Sequence, residues 1–294
     1  MSENSCDILF TGGEVIDGTG EKRVRADVAV TGERISAIGD LGEMRAGRTV
    51  DASGRIVAPG FIDVHTHDDN LLFRDADMTP KTSQGVTTVV VGNCGVSLAP
   101  LVLGGEAPPP PLDLLGNGDD YRFERFGDYL DALDATPPAA NAAFLIGHST
   151  LRLGAMRDVT RAADTGEIDA MAKVVEEAMQ SGATGFSTGL IYAPNKAAPT
   201  DEIVDLAQVA SDGGGIYVTH MRDEGTANVG LFPAVIEAIE LARRTGVRLE
   251  ISHVKCQGPS FQGRADEILE HMDRAVAEGI DVAGDQYPYT AGET

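Results

Sequence analysis

The chain has 294 residues, 42% of them hydrophobic, and 46 acidic residues against 23 basic ones give a formal net charge of −23. That length and apolar content fit a globular protein with one large core or two domains. The acidity excludes a nucleic-acid or anionic-membrane surface, because neutralising phosphates requires Lys and Arg, and leaves small molecules or cations as partners.

Three widely spaced cysteines, Cys6, Cys94 and Cys256, imply no disulfide framework and fit a reducing cytoplasm. The Met1–Asp7 stretch is polar, and no run of about 18 apolar residues occurs, so no signal segment or membrane span is predicted. From Asp7 to Val57, short apolar runs alternate with Gly-containing turns such as Gly12-Gly13, Asp17-Gly18 and Gly39-Asp40. This pattern predicts a small antiparallel β unit over residues 1–57, a structural cap without chemistry of its own.

Residues 58–294 read differently. Apolar strands are predicted at Ile56–His65, Thr87–Gly92, Ala142–Gly147, Thr184–Ser187, Ile216–Thr219, Leu249–Ser252 and Asp281–Asp285. Amphipathic helices are predicted between them, at Ile168–Gln180, Glu202–Ala210, Phe232–Arg244 and Ala265–Glu278. The last three units recur every 33 residues, at His220, His253 and Gln286. Strand, helix, parallel strand is the repeat of a (β/α)8 TIM-type barrel. A doubly wound open sheet is the rival, but no G-x-G-x-x-G links a strand to a helix. Seven strands leave the barrel incomplete, one short of eight, and the chain stops at Gly292-Glu293-Thr294, so a fragment or truncated reading frame is expected. The excursion Leu101–Pro138, with a helical piece over Phe123–Leu133, either shapes a pocket or is a solvated loop.

The candidate chemistry sits at the strand ends. His65 and His67 flank Thr66 at the end of the first strand, Cys94 follows the second, His148 the third, His220 the fifth and His253 the sixth. Five of the six histidines fall at the rim where barrel enzymes build their sites, and only His271 lies elsewhere, on a predicted helix. A single His there is more often a rim or core residue than a ligand. The set His65, His67, Cys94, His220 and His253 shifts the balance to a metal, whereas His148 is equally a substrate-contacting, supporting or structural group. Imidazole and thiolate together favour Zn²⁺, which acidifies a bound water to a pKa of about 7 and so suits hydrolysis of an amide or ester. Cys256 reads as structural.

The motifs P-G-F-I-D-V-H-T-H-D-D at 59–69, G-V-T-T-V-V-V-G-N-C-G-V-S-L-A-P at 85–100, G-H-S-T-L-R at 147–152 and G-A-T-G-F-S-T-G-L-I-Y-A-P at 182–194 continue into T-H-M-R-D-E at 219–224, I-S-H-V-K at 251–255 and D-Q-Y-P-Y at 285–289. Together they resemble the amidohydrolase superfamily and, within it, the D-aminoacylase or N-acyl-D-amino-acid deacylase family. The G-N-C-G segment is the most specific of them. The resemblance implies zinc-dependent hydrolysis of N-acyl-D-amino acids to a carboxylate and a free D-amino acid. It implies a tight zinc site at Cys94, His220 and His253, a weaker second site at His65 and His67 bridged by Cys94, and Tyr192 and Lys255 as groups that bind the substrate carboxylate. Lys255 also draws support from its place two residues past His253, with an ion pair to Asp63 or Glu250 as the structural alternative.

The resemblance further implies a catalytic aspartate and a carboxylate-binding arginine, both expected beyond Thr294. Without that aspartate, proton transfer worth roughly 10²- to 10⁴-fold would be missing. Two other readings stand beside the deacylase. A cyclic amidase of the dihydropyrimidinase type would bridge its metals with a lysine at the end of strand four, where Thr184–Leu190 has none. An inactive, truncated metal-binding remnant is the other.

Overall fold

The computed structural model describes residues 4–289 and 291; the Gly292-Glu293-Thr294 end lies outside the described residues. The chain divides near Phe61 and Ile62 into two compact units.

In the N-terminal unit, strands β1 (Ser5–Val15), β2 (Val24–Thr31), β3 (Arg34–Gly39), β4 (Arg45–Asp51) and β5 (Ile56–Val57) form one sheet. β1 pairs antiparallel with β2, and β2 with β3, but β4 and β5 both lie parallel to β1, so the sheet is mixed and not the purely antiparallel unit expected. Its core is small, built on Cys6, Leu9 and Ala29.

The predicted strand Ile56–His65 is in fact two strands. Pro59 and Gly60 separate β5 from β6 (Phe61–Asp63), since proline has no N–H to give a ladder and glycine weakens a strand.

The second unit follows the predicted alternation. After β6 come two single-turn helices, α1 (Leu71–Arg74) and α2 (Thr79–Thr82), and then β7 (Val86–Val91). The 101–138 excursion holds a two-stranded ribbon, β8 (Leu101–Val102) and β9 (Arg122–Phe123), and helix α3 (Phe126–Ala135). β10 (Asn141–Gly147), α4 (His148–Ala155), α5 (Thr165–Ser181), β11 (Gly185–Gly189), α6 (Ala193–Lys196), α7 (Thr200–Asp212), β12 (Ile216–His220), α8 (Leu231–Thr245), β13 (Arg248–Ile251), α9 (Ala265–Ala277) and β14 (Val282–Gly284) complete it.

The sheet order is β6-β7-β10-β11-β12-β13-β14, the order of the chain. From β7 onward every neighbour pair is parallel. A doubly wound sheet reverses its order at a switch point; a barrel winds in sequence, as here. Seven strands of an incomplete barrel are therefore present among the described residues, and no helix among them is long and apolar enough to cross a membrane.

The helices are fixed by periodicity and caps. In α5, Met171, Val175 and Ala178 are buried at i, i+4 and i+7, Asp164 and Glu167 form a reciprocal capping box, and Gly182 ends the helix at φ 115°. β11 runs G-F-S-T-G with all five residues buried. Phe186 there stacks on Tyr217 of β12 with centroids 6.0 Å apart, and burying each ring is worth about 1.5–3 kcal/mol or more. The excursion is anchored by buried side chains, while its 104–107 stretch is exposed. Leu112, Leu115, Tyr121 and Phe126 are buried, and its contacts run to the segment behind His67: Asn70 Nδ2 donates to Leu115 O at 2.9 Å and Tyr129 hydroxyl to Asp69 O at 3.1 Å.

Candidate metal centre

Parallel strands deliver their carboxyl ends to one rim, and four of the predicted ligands meet there around a fifth. Cys94 Sγ lies 3.2 Å from His65 Nε2, 3.7 Å from His220 Nδ1 and 3.5 Å from His253 Nε2. Two ligand groups share the thiol, His65–His67–Cys94 and Cys94–His220–His253, each with its donor atoms within 4.8 Å of one another. In a tetrahedral zinc site, ligand distances of about 2.1 Å to nitrogen and 2.3 Å to sulfur put neighbouring N and S donors about 3.5 Å apart. The observed spacings match.

Local backbone conformation brings this about. Cys94 and His253 both adopt positive φ, 53° and 36°, which non-glycine residues rarely do and which concentrates at functional sites. Gly95, at φ 74°, lies so close to the end of β11 that a Cβ there would sit 2.7 Å from Gly189 N. Gly189 in turn has no room for a side chain beside Cys94 O. The G-N-C-G segment thus turns the thiol inward against a glycine-thinned strand end.

Electrostatics also fit a cation. Burial, reinforced by charge on His65 and His253, pushes His67 down to about 3, and both its ring nitrogens are buried without a hydrogen-bond partner among the described residues. Burial likewise holds His220 well below the usual imidazole value. Burial raises the Cys94 thiol, with Lys255 opposing and Asp285 and Glu224 adding to the rise. Neutral imidazoles with free lone pairs are the form that ligates, and only a bound cation would reverse the cost of ionising the thiol.

Among the predicted substrate groups, Tyr192 and Lys255 adjoin the cluster. Tyr192 hydroxyl lies 3.1 Å from His220 Nδ1. Lys255 Nζ lies 2.9 Å from His253 Nδ1, 2.8 Å from Glu224 Oε1 and 5.5 Å from the centre of the Tyr287 ring. Its ion pair is with Glu224, not with Asp63 or Glu250; Asp63 binds Lys81 at 2.7 Å instead. β13 ends at Ile251, so Lys255 reaches the rim from a loop and not along a strand face. A 340 Å³ cavity opens beside the cluster, lined in part by His65, His67, His253, Asp285 and Tyr287. A larger one of 540 Å³, lined by Asp128, Asp131 and Asp134, contains no His or Cys.

His148 is not in this cluster. It opens α4, and its ring turns away to Glu202, with Nε2 3.1 Å from Oε1, and to Phe186. His148, Arg152 and Glu202 are each 0% exposed, so the ring contacts buried neighbours in place of a substrate. His271 stays on α9 beside Arg274, as expected.

Two carboxylates were missed by sequence reasoning. Asp285 places Oδ2 3.2 Å from His65 Nδ1 and accepts the His253 N–H through Oδ1 at 2.6 Å. Glu224, 1% exposed, lies behind His220 and His253. Asp285 had a visible signal, since it ends the seventh predicted strand at the rim position the ligands occupy elsewhere. Glu224 had none beyond membership of T-H-M-R-D-E.

Comparison with known proteins agrees with this geometry. D-aminoacylase from Alcaligenes xylosoxydans xylosoxydans is 54% identical over 288 residues, 98% of this chain and 58% of its own. A D-aminoacylase structure described with a binuclear metal centre superposes with a TM-score of 0.93 at 49% identity, covering 98% of this chain and 59% of that one. N-acyl-D-glutamate deacylase from Bordetella bronchiseptica, solved with zinc and a phosphonate that mimics the tetrahedral intermediate, gives a TM-score of 0.91 at 46% identity over 97% and 59%. The chain thus spans a little under three fifths of the relatives it matches. Residues 48–293, most of the chain, match the Amidohydrolase family, and the chain is a member of that family.

Proposed function

We propose that the chain serves zinc-dependent hydrolysis of N-acyl-D-amino acids to a carboxylate and a free D-amino acid. The observation that carries this reading is the single thiol, Cys94, set between His65 on one side and His220 and His253 on the other. Cys94, His220 and His253 are the tight zinc site, because all three are buried and Glu224 backs two of them. His65 and His67, nearer solvent, form the weaker second site with the same sulfur. Zinc held there supplies polarisation of the acyl carbonyl and acidification of water.

The chain's own residues do the rest. The Lys255 ammonium, held at the rim by Glu224, pairs with the substrate carboxylate, and a cation fixed on one side of the cavity orients the acyl bond toward the ligands. Tyr192 presents its hydroxyl beside His220 Nδ1, on the side from which it can join Lys255 in holding the substrate carboxylate. Asp285 holds the His65 ring by its far nitrogen. A cyclic amidase is disfavoured by β11, which has no lysine to take the bridging place that Cys94 fills.

The test is zinc content per chain for wild type and Cys94→Ala, with N-acetyl-D-methionine and its L isomer compared for binding. Wild type should retain zinc, the variant should lose most of it, and the D isomer should be preferred. Unchanged zinc in the variant, or equal handling of both isomers, overturns the reading.

A further inference from the structure

Glu224 stands behind two metal-facing imidazoles at once. Its Oε2 lies 3.7 Å from His220 Nε2 and its Oε1 2.9 Å from His253 Nδ1, both within ion-pairing reach, though neither meets hydrogen-bond geometry among the described residues. In both rings the opposite nitrogen faces the thiol, Nδ1 of His220 and Nε2 of His253. An imidazole ligates through its unprotonated nitrogen, so each ring must carry its proton on the side of Glu224.

Lys255 makes that carboxylate necessary. Its ammonium lies 2.9 Å from His253 Nδ1 and can only donate, which by itself would favour the tautomer with the proton on Nε2 and block ligation. The same Glu224 Oε1 sits 2.8 Å from Lys255 Nζ. A negative charge at that point draws the ammonium to itself and stabilises a proton on His253 Nδ1. We infer that Glu224 is the positioning residue that fixes the ligating tautomers of His220 and His253 together while anchoring Lys255 at the rim. This rests on the zinc reading above.

The flanking sequence is built to hold Glu224 in place. Arg222 grips Glu237 of α8 with contacts of 2.9–3.2 Å. The Asp223 carboxylate accepts the N–H groups of Gly225, Ala227, Asn228 and Gly230, closing the loop that follows. The backbone carbonyl of Glu224 accepts Gln257 N–H at 2.8 Å, tying it to the loop that carries His253 and Lys255. Three consecutive charged residues therefore have three separate partners, and only Glu224 faces the ligands.

The experiment is zinc affinity by chelator competition for the full chain and Glu224→Gln, with side-chain ¹H–¹⁵N correlation spectra of the zinc-loaded wild type. Glu224→Gln should bind zinc roughly 10- to 100-fold more weakly. The spectra should place the protons on His220 Nε2 and His253 Nδ1. An affinity within twofold of wild type overturns the inference. If the variant does not fold, the wild-type spectra decide alone, and protons on the opposite nitrogens overturn it. Wild type that binds no zinc removes the zinc reading and this inference together, whereas zinc binding with an indifferent variant removes only this one.

Discussion

Glu202 shows how much a single buried charge can decide. Burial pushes its carboxyl up, but the hydrogen bond and charge of His148, and then those of Arg152, outweigh burial and hold it down at about 2. Because burial pushes His148 itself toward the neutral form, Arg152 is the lasting countercharge. Arg152 also donates to the carbonyls of Val159 and Arg161, and Glu202 accepts Ala163 N–H at 3.1 Å, so the pair organises the loop between α4 and α5. A carboxyl with a depressed folded-state value stabilises above its unfolded value of about 4.5, and that contribution is lost as pH falls from there toward 2. Glu202→Gln leaves the guanidinium buried without its partner and should cost about 3–5 kcal/mol at pH 7. Urea unfolding at pH 7, 5 and 3.5 checks this: the stability gap to wild type should narrow as pH drops, and a gap independent of pH refutes it. This role was not legible in the sequence. His148 occupies a strand end like the ligands do, but the helix begins at that very residue and carries its ring outward, a change of direction that position along the chain does not reveal.

At the scale of elements, the seven strands and four long helices were readable because each has one dominant periodicity. Besides α4 and the β8–β9 ribbon, two features escaped. One is the division of Ile56–His65 between two sheets, where Pro59-Gly60 was the available signal. The other is the parallel placement of β4 and β5, which depends on pairing partners distant in sequence. The clustering of these His and Cys side chains was legible for a physical reason: parallel strands of one sheet end at one level, so His and Cys at successive strand ends must converge. The positive φ of Cys94 and His253 was not, because side-chain type does not announce strain. Gly95 joins the two levels. Its substitution by Ala meets both an unfavourable φ and backbone 2.7 Å away, with Asn195 Oδ1 at 2.9 Å, and neither β11 nor the Asn195 carboxamide, itself bonded to Ser149, can yield freely. Gly95→Ala should lower the melting temperature by several degrees and also weaken zinc binding, since it displaces Cys94. Thermal melts and zinc titration on the same variant test this, and a melting loss with unchanged zinc affinity would separate the turn from the site.

The whole molecule carries 23 more acidic than basic residues, and that imbalance sets how its stability responds to salt. Its exposed ion pairs, such as Arg125–Glu177, Arg243–Glu240 and Arg244–Asp201, are each worth about 0–1 kcal/mol and are screened by salt. Against them stands mutual repulsion among the unpaired carboxylates, which acts over the Debye length, about 30 Å at 0.01 M and 10 Å at 0.1 M. Repulsion summed over the net charge therefore outweighs the few attractive pairs, and screening should stabilise the fold. With chelator present throughout, the melting temperature at pH 7 should rise between 0.01 and 0.1 M NaCl and do so equally in KCl, since screening depends on ionic strength and not on the cation. Lowering the pH toward the sequence pI of about 4.5 removes the same repulsion by protonation, so the salt effect should shrink there. Below that point the loss of Glu202 from its pair with Arg152 takes over and stability falls. A melting temperature that is flat or declines with NaCl at pH 7 would mean that the local ion pairs, and not the net charge, govern the fold.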